Sequence, residues 1–289
     1  MNTPASSPTR PIAPADFIAG MAKGMAVLES FDTERQRLNA TLAAQRTGIT
    51  RAAARRHLLT LAHLGYLETD GSYYWLSAKV LRFSGSYLAS ARLPRVLQPT
   101  LNRLAAQTGE SFSAVVLDDD QVVIVARSGN ERGRADRINN ATNIHNGYEY
   151  NSKLGNKYAG ILAYGLHLGA RLPAYATSTG RVLLAALSEA QFETWLKNRV
   201  LTRLTAYTCT DLSAFRGIVA QARAADYAVA SEEHELGVHA LAVPLRNMQG
   251  HTVAALNVVT SQERLQPQAL QRDLLPLLQD AARELRQLI

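Results

Sequence analysis

The apolar positions of the chain change period several times, and each change marks a different element. Over residues 17–31, Ile18, Met21, Met25 and Leu28 recur at helical spacing. A shorter helix is predicted over 39–46, with Leu42 and Ala43 facing inward. Thr47-Gly48-Ile49 then forms a turn whose glycine suits the left-handed end of a helix. Thr50 is a good N-cap for a third helix reaching about residue 64. There Ala54, Leu58 and Leu61 fall at i, i+4 and i+7 and make one buried stripe. Next the period shortens. Residues 65–68, the turn Thr69-Asp70-Gly71-Ser72 and residues 73–76 read as strand, turn, strand. Helices joined by a tight glycine turn and followed by a hairpin have the order of a winged helix-turn-helix.

Residues 77–93 read as a helix leaving that hairpin, with Val80, Phe83 (or Ser84), Tyr87 and Ala91 along one side. Such a face packs on a partner chain or back on its own domain. Pro94 opens another helix, periodic in Leu97, Leu101, Leu104 and Ala105 and ended by Gly109. Residues 113–117 and 122–126 are two buried strands about a turn of Asp118, Asp119, Asp120 and Gln121. Helices are expected over 176–187, 188–199 and 212–225, and strands over 227–230, 239–245 and 253–259. A terminal amphipathic helix covers 268–289 and is kinked or interrupted at Pro276. Helices interleaved with an antiparallel-looking sheet make the fold class α+β. The expected domains are a disordered tail (1–15), the winged helix-turn-helix (16–78), a linker helix for dimerisation (79–93) and a larger sensor domain (94–289).

Composition narrows the class. Hydrophobic residues are 47% of the chain, enough for a core in each domain. No apolar run approaches the roughly 18 residues of a membrane span. The one cysteine, Cys209, excludes an internal disulfide and a multi-cysteine metal site. A cytoplasmic location fits that usage. Net charge is +7, and the excess is denser before residue 92. Between Glu34 and Glu68 stand Arg35, Arg37, Arg46, Arg51, Arg55 and Arg56, with no acid among them. Arg51, Ala52, Arg55 and Arg56 lie on the third helix away from its apolar stripe. Arginine pairs with phosphate and bonds guanine edges in a bidentate way, and small alanines permit close approach. Thr50, Arg51, Ala52, Arg55, Arg56 and, at the hairpin tip, Ser72 are therefore the candidates for contact with double-stranded promoter DNA. His57 reads as structural.

No catalytic motif emerges: there is no phosphate-cradling glycine loop and no nucleophile elbow. The three consecutive aspartates read as a solvated turn. Glu232, Glu233, His234, Glu235 and His239 resemble metal ligands on paper but read as a polar loop feeding a strand. No cofactor and no metal are expected.

Residues 17–76 resemble the N-terminal domain of the IclR family of bacterial regulators. The match lies in Gly24-Met25-Ala26-Val27-Leu28, Thr47-Gly48-Ile49-Thr50-Arg51 and Leu61-Ala62-His63-Leu64-Gly65-Tyr66-Leu67. The blocks at 169–185, 232–245 and 254–258 resemble the effector domain of that family, and are most similar to its protocatechuate and 4-hydroxybenzoate subgroup. The resemblance implies a GAF-like sensor domain, a homodimer or dimer of dimers, and control of aromatic-acid catabolism by a small acid. A different small carboxylate, or a GAF-like enzyme, is the alternative. The chain departs from the family in an insert at about 129–164, which reads as a surface loop, with an extra hairpin or a cover over the pocket left open. The resemblance nominates Tyr175, Thr177, Ser178, Thr179, Val238, Ala240, Asn257 and Val259 as effector-binding; Arg171 is added for its charge, which either pairs the effector's carboxylate or stands exposed. A helix start at Ser178 offers an anion free N–H groups. Asn257, in an apolar strand, needs a partner from either a ligand or a structural hydrogen bond.

Overall fold

A computed structural model describes residues 12–32, 35–129, 166–261 and 269–289. The tail up to residue 11 and the expected insert from 130 to 164 lie outside the described residues. Two compact units meet in sequence between Ala91 and Arg92.

In the first unit, α1 (Ala19–Glu29), α2 (Ala40–Thr47) and α3 (Arg51–His63) precede a two-stranded antiparallel sheet of β1 (Leu67–Thr69) and β2 (Tyr74–Leu76). Capping fixes the helix boundaries. Asn39 Oδ1 accepts from the Thr41 and Leu42 N–H groups, and Thr50 Oγ1 accepts from the Ala53 N–H. Gly48 ends α2 at φ +68°, where a side chain would be strained. Val27, Leu38, Ala43, Ala54, Leu58, Leu67 and Tyr74 form the core. Of the four residues at helical spacing on α1, Leu28 packs on the core but Ile18, Met21 and Met25 are exposed, and Val27 and Phe31 are buried in their place. Both sides of α1 are apolar, so spacing alone could not choose between them.

The expected linker helix is shorter than the sequence suggested. A 3-10 turn (Ala78–Val80) leads into α4 (Leu81–Ser90), and extended Ala91 ends it. Leu81, Phe83 and Tyr87 are exposed on α4, with the Phe83 ring stacked on Tyr66 at 5.6 Å.

The second unit begins with α5 (Arg92–Thr108), which carries Pro94 in its first turn. Its sheet has six antiparallel strands: β3 (Ser111–Asp118), β4 (Gln121–Arg127), β5 (Arg171–Pro173), β6 (Ala228–Ser231), β7 (Val238–Arg246) and β8 (Thr252–Ser261). They lie in the order β5-β4-β3-β8-β7-β6. Period-two alternation divides the core between the two faces. Phe112, Leu241, Val243, Leu256 and Val258 meet Leu97 and Leu101 of α5 and Leu278 and Leu285 of α9 (Leu275–Arg286). Val115, Val122, Ile124, Ala242 and Ala255 meet α6 (Ser178–Ala185), α7 (Glu189–Leu196) and α8 (Leu212–Ala225). At the end of the chain, one π-helical turn (Leu270–Leu274) precedes α9, which starts afresh with Pro276 in its first turn. The missing proline N–H thus falls where a helix leaves it unpaired anyway.

Two local features position the site. The β3–β4 register shifts at Ala114/Val115. This bulge puts both Val125 and Ala126 on the α5 side, and Arg127 returns to the α6 side with Val122 and Ile124. Second, α6 begins against its own lead-in: a Cβ on Gly180 would lie 1.9 Å from the Ala174 carbonyl oxygen, so only glycine fits.

Candidate functional site

Two places carry the recognition chemistry. The first is the outer face of α3. Ala54 and Leu58 are fully buried, while Arg51, Ala52, Arg55 and Arg56 are exposed. Among the described residues no hydrogen bond or ion pair holds the side chains of Arg51, Arg55 and Arg56. Arg37 and Arg46 differ, because acids just outside the basic stretch neutralise them. Arg37 bonds Asp70 at 2.6 Å and lies 4.5 Å over the Trp75 ring, and Arg46 pairs with Asp32. The hairpin tip is built by Asp70, whose Oδ1 accepts from the N–H groups of Ser72 and Tyr73. Those bonds, with Arg37 nearby, hold the Asp70 carboxyl below its ordinary pKa. Ser72 is exposed there. Thr50 is already engaged as the cap of α3.

The second place is a cleft between the sheet and the start of α6. Its free space, open mouth included, is about 700 Å³. Val115, Val122, Ile124, Leu172 and Ala176 make its apolar end, and Ala230, Val238, Ala240 and Val259 continue the floor. Thr177, Ser178, Thr179 and Asn257 bring polar groups to the same space. Thr177 caps α6 by accepting from the Gly180 N–H at 3.1 Å. Ser178 is 1% exposed, yet among the described residues its hydroxyl has no partner. A buried hydroxyl without a hydrogen bond costs about 1–3 kcal/mol. Asn257 Oδ1 accepts from Ser113 Oγ at 2.5 Å across the β3–β8 pair, so this amide has a structural bond and also faces the cleft.

Two nominated residues are elsewhere. Arg171, on edge strand β5, bonds Asp118 and Gln121, both at 2.6 Å, at the surface. Its charge answers the acidic β3–β4 turn and not the cleft. The Tyr175 hydroxyl donates to the Thr202 carbonyl at 2.8 Å, and burial pushes the phenol above its ordinary pKa. Asp119 is also paired, with Arg199 at 2.9 Å. Neither Arg171 nor Tyr175 lines the cleft.

Other residues take their place. Arg127 lines the cleft from β4, donating to the Leu166 carbonyl and to Ser111 Oγ. Glu233, His234 and Glu235 line it from the β6–β7 connection. That connection is pinned by Thr205 Oγ1 donating to the Glu232 carbonyl and Thr208 Oγ1 donating to the Glu233 carbonyl, both at 2.7 Å. Arg181, buried in α6, bonds Glu233 Oε2 at 2.5 Å and the Val229 carbonyl at 2.7 Å. His239 lies on the opposite face of β7, 3% exposed and across from Thr260. Among the described residues no group of three or more His, Cys, Asp or Glu could hold a metal ion.

The comparisons agree with this two-part design. The family model described as "IclR helix-turn-helix domain" matches residues 20–71, and "Bacterial transcriptional regulator IclR C-terminal" matches residues 153–287. The chain is 48% identical over 274 residues to the Pca operon regulatory protein of Acinetobacter baylyi, covering 95% of this chain and 90% of that one. It is 50% identical over 275 residues to the p-hydroxybenzoate hydroxylase transcriptional activator of the same organism, covering 95% and 93%. Among solved structures, one similar chain is the inducer-binding domain of a double mutant of the PobR transcription factor from Acinetobacter, in complex with 3-hydroxybenzoic acid. It aligns with TM-score 0.55 and 43% identity, over 68% of this chain and 98% of that one. A basic helix face in one unit and a cleft with an apolar end in the other thus occur in a chain with these relatives, and the chain belongs to the IclR family of bacterial transcriptional regulators.

Proposed function

We propose that this regulator controls aromatic-acid catabolism genes in response to a small hydroxylated aromatic acid such as 4-hydroxybenzoate or protocatechuate. The observation that carries the reading is the Ser178 hydroxyl at the start of α6, buried beside an apolar slot and unpartnered among the described residues. An aromatic ring fits the slot. Its carboxylate fits the helix start, where the first-turn N–H groups and the positive end of the helix dipole favour an anion. Arg127 adds positive charge on the β4 side. The A. baylyi relatives, by their names, regulate the pca operon and activate transcription of p-hydroxybenzoate hydroxylase, and this supports an effector of the same chemical class here.

In this reading Arg51, Ala52, Arg55 and Arg56 face the major groove of promoter DNA, with Thr50 and Ser72 beside the phosphates. In this reading the protein works in the cytoplasm, where its promoter DNA is; among the described residues no helix is long and apolar enough to cross a membrane. The exposed apolar residues of α1 and α4 are the contact faces of a homodimer, or of a dimer of dimers. Dimers of this kind read two half-sites.

A reporter driven by the promoter the protein controls tests the proposal, in cells with and without the protein. Expression is expected to change at least threefold on addition of 4-hydroxybenzoate or protocatechuate, only when the protein is present. Equal expression with and without either acid overturns the aromatic-acid reading.

A further inference from the structure

We infer that His234 reads the ring hydroxyl of the effector and so sets the preference for hydroxylated over plain benzoic acids. This rests on the aromatic-acid reading above and adds an orientation to it. The charges around the cleft are divided by strand order. Arg127 stands on β4, and Glu233, His234 and Glu235 stand on the connection beyond β7. Strands β4 and β7 are three strand spacings apart, roughly 14 Å. Both side-chain groups reach inward from the ends of that span to the one cleft. A carboxylate is drawn toward Arg127 and the start of α6. The far end of a para-substituted ring then points at the connection.

Within that connection the three side chains are not equivalent. Glu233 is committed: its Oε2 accepts from Arg181 and from the Cys209 N–H at 3.2 Å. His234 is half-buried, lines the cleft, and its ring makes no hydrogen bond among the described residues. Burial holds the imidazole below its ordinary pKa, with Glu235 opposing the shift only in part. A neutral imidazole has one donor and one acceptor nitrogen, as a phenolic hydroxyl has one hydrogen to give and lone pairs to accept. The backbone is set in place before any ligand arrives. Besides the Thr205 and Thr208 bonds, Glu232 Oε1 accepts from the Gly237 N–H at 2.9 Å, and the Glu232 N–H donates to the Val238 carbonyl at 2.7 Å. A site built to hydrogen-bond a hydroxyl rejects the analogue that lacks it.

The test is calorimetric titration of the full-length protein with 4-hydroxybenzoate and with benzoate. The native protein is expected to bind 4-hydroxybenzoate about tenfold more tightly than benzoate, the scale of one good hydrogen bond. In His234→Ala that ratio falls to about two or less. His234→Gln, which keeps a donor and an acceptor, restores part of the preference, and it decides the matter if the alanine variant fails to fold. An unchanged ratio in the variants, with both acids still binding, overturns the role of His234 and leaves the aromatic-acid reading standing. A native protein that binds both acids equally also overturns it. A native protein that binds neither acid overturns the aromatic-acid reading, and this inference with it.

Discussion

Ser178 and Gly180 stand two residues apart at the start of α6 and predict opposite kinds of damage. The Ser178 hydroxyl is buried without a partner among the described residues, and a hydroxyl so placed carries the cost of its desolvation. Ser178→Ala is expected to raise the melting temperature of the free protein slightly, by up to about 1 kcal/mol of stability, and to weaken acid binding about three- to tenfold. Thermal melting and calorimetry on the same sample check both signs. At Gly180 the added methyl meets backbone, not a movable side chain. Gly180→Ala should therefore cost about 2–3 kcal/mol, a fall of roughly 5–10 °C in melting temperature. An unshifted melt would show that the Ala174 turn can yield. The cleft residues show how far single positions were legible. Thr177, Ser178, Thr179, Val238, Ala240, Asn257 and Val259 were nominated by resemblance and do line the cleft. Arg171 was nominated for its charge, but Asp118 at the end of β3 and the side-chain amide of Gln121 on β4 hold it at the surface. Arg127 escaped notice because strict alternation along β4 points it away from the cleft, and only the bulge brings it back.

Most elements were legible because their ends are written in caps. Helix α8 runs over the expected 212–225, begun by the Asp211 side chain accepting from the Ala214 N–H and ended at left-handed Asp226. Helix α7 opens with a capping box of Ser188 and Gln191. The boundaries that misled lack such marks: α1 has no side-chain cap, and the linker ends at Ala91, which has no turn-forming chemistry. Helix α3 carries the element-scale prediction for DNA. Arg55→Ala and Arg56→Ala should each weaken promoter binding about 5- to 100-fold, and where the lost contact is to phosphate the salt slope should fall by about one. Calorimetric affinity for the acid should be untouched. Unchanged promoter binding at fixed salt in both variants would move the reading face elsewhere. The β6–β7 connection depends on the Arg181–Glu233 pair, whose side chains are 4% and 12% exposed. Glu233→Gln leaves the buried guanidinium without its counter-charge. The expected loss is about 3 kcal/mol, read by chemical denaturation.

At the scale of the whole molecule, the chain separates the group that reads DNA from the group that reads a metabolite. The net positive charge has its meaning in that division. The acid-free stretch holds the unpaired arginines of α3, whereas in the second unit Arg171, Arg181, Arg199, Arg216, Arg223 and Arg246 all have acidic partners. An effector can shift the balance of domain arrangements only through its unequal affinity for them, so everything downstream depends on the cleft being the place where it binds. The decisive measurement is calorimetric titration of 4-hydroxybenzoate into the native protein and into Ala240→Phe, which fills the floor of the cleft, each shown to bind promoter DNA. The account predicts saturable binding to the native protein and at least a tenfold loss in the filled variant. Equal binding to both would place the effector outside this cleft, and no binding to a native protein that still holds its promoter would remove the aromatic acid as its signal.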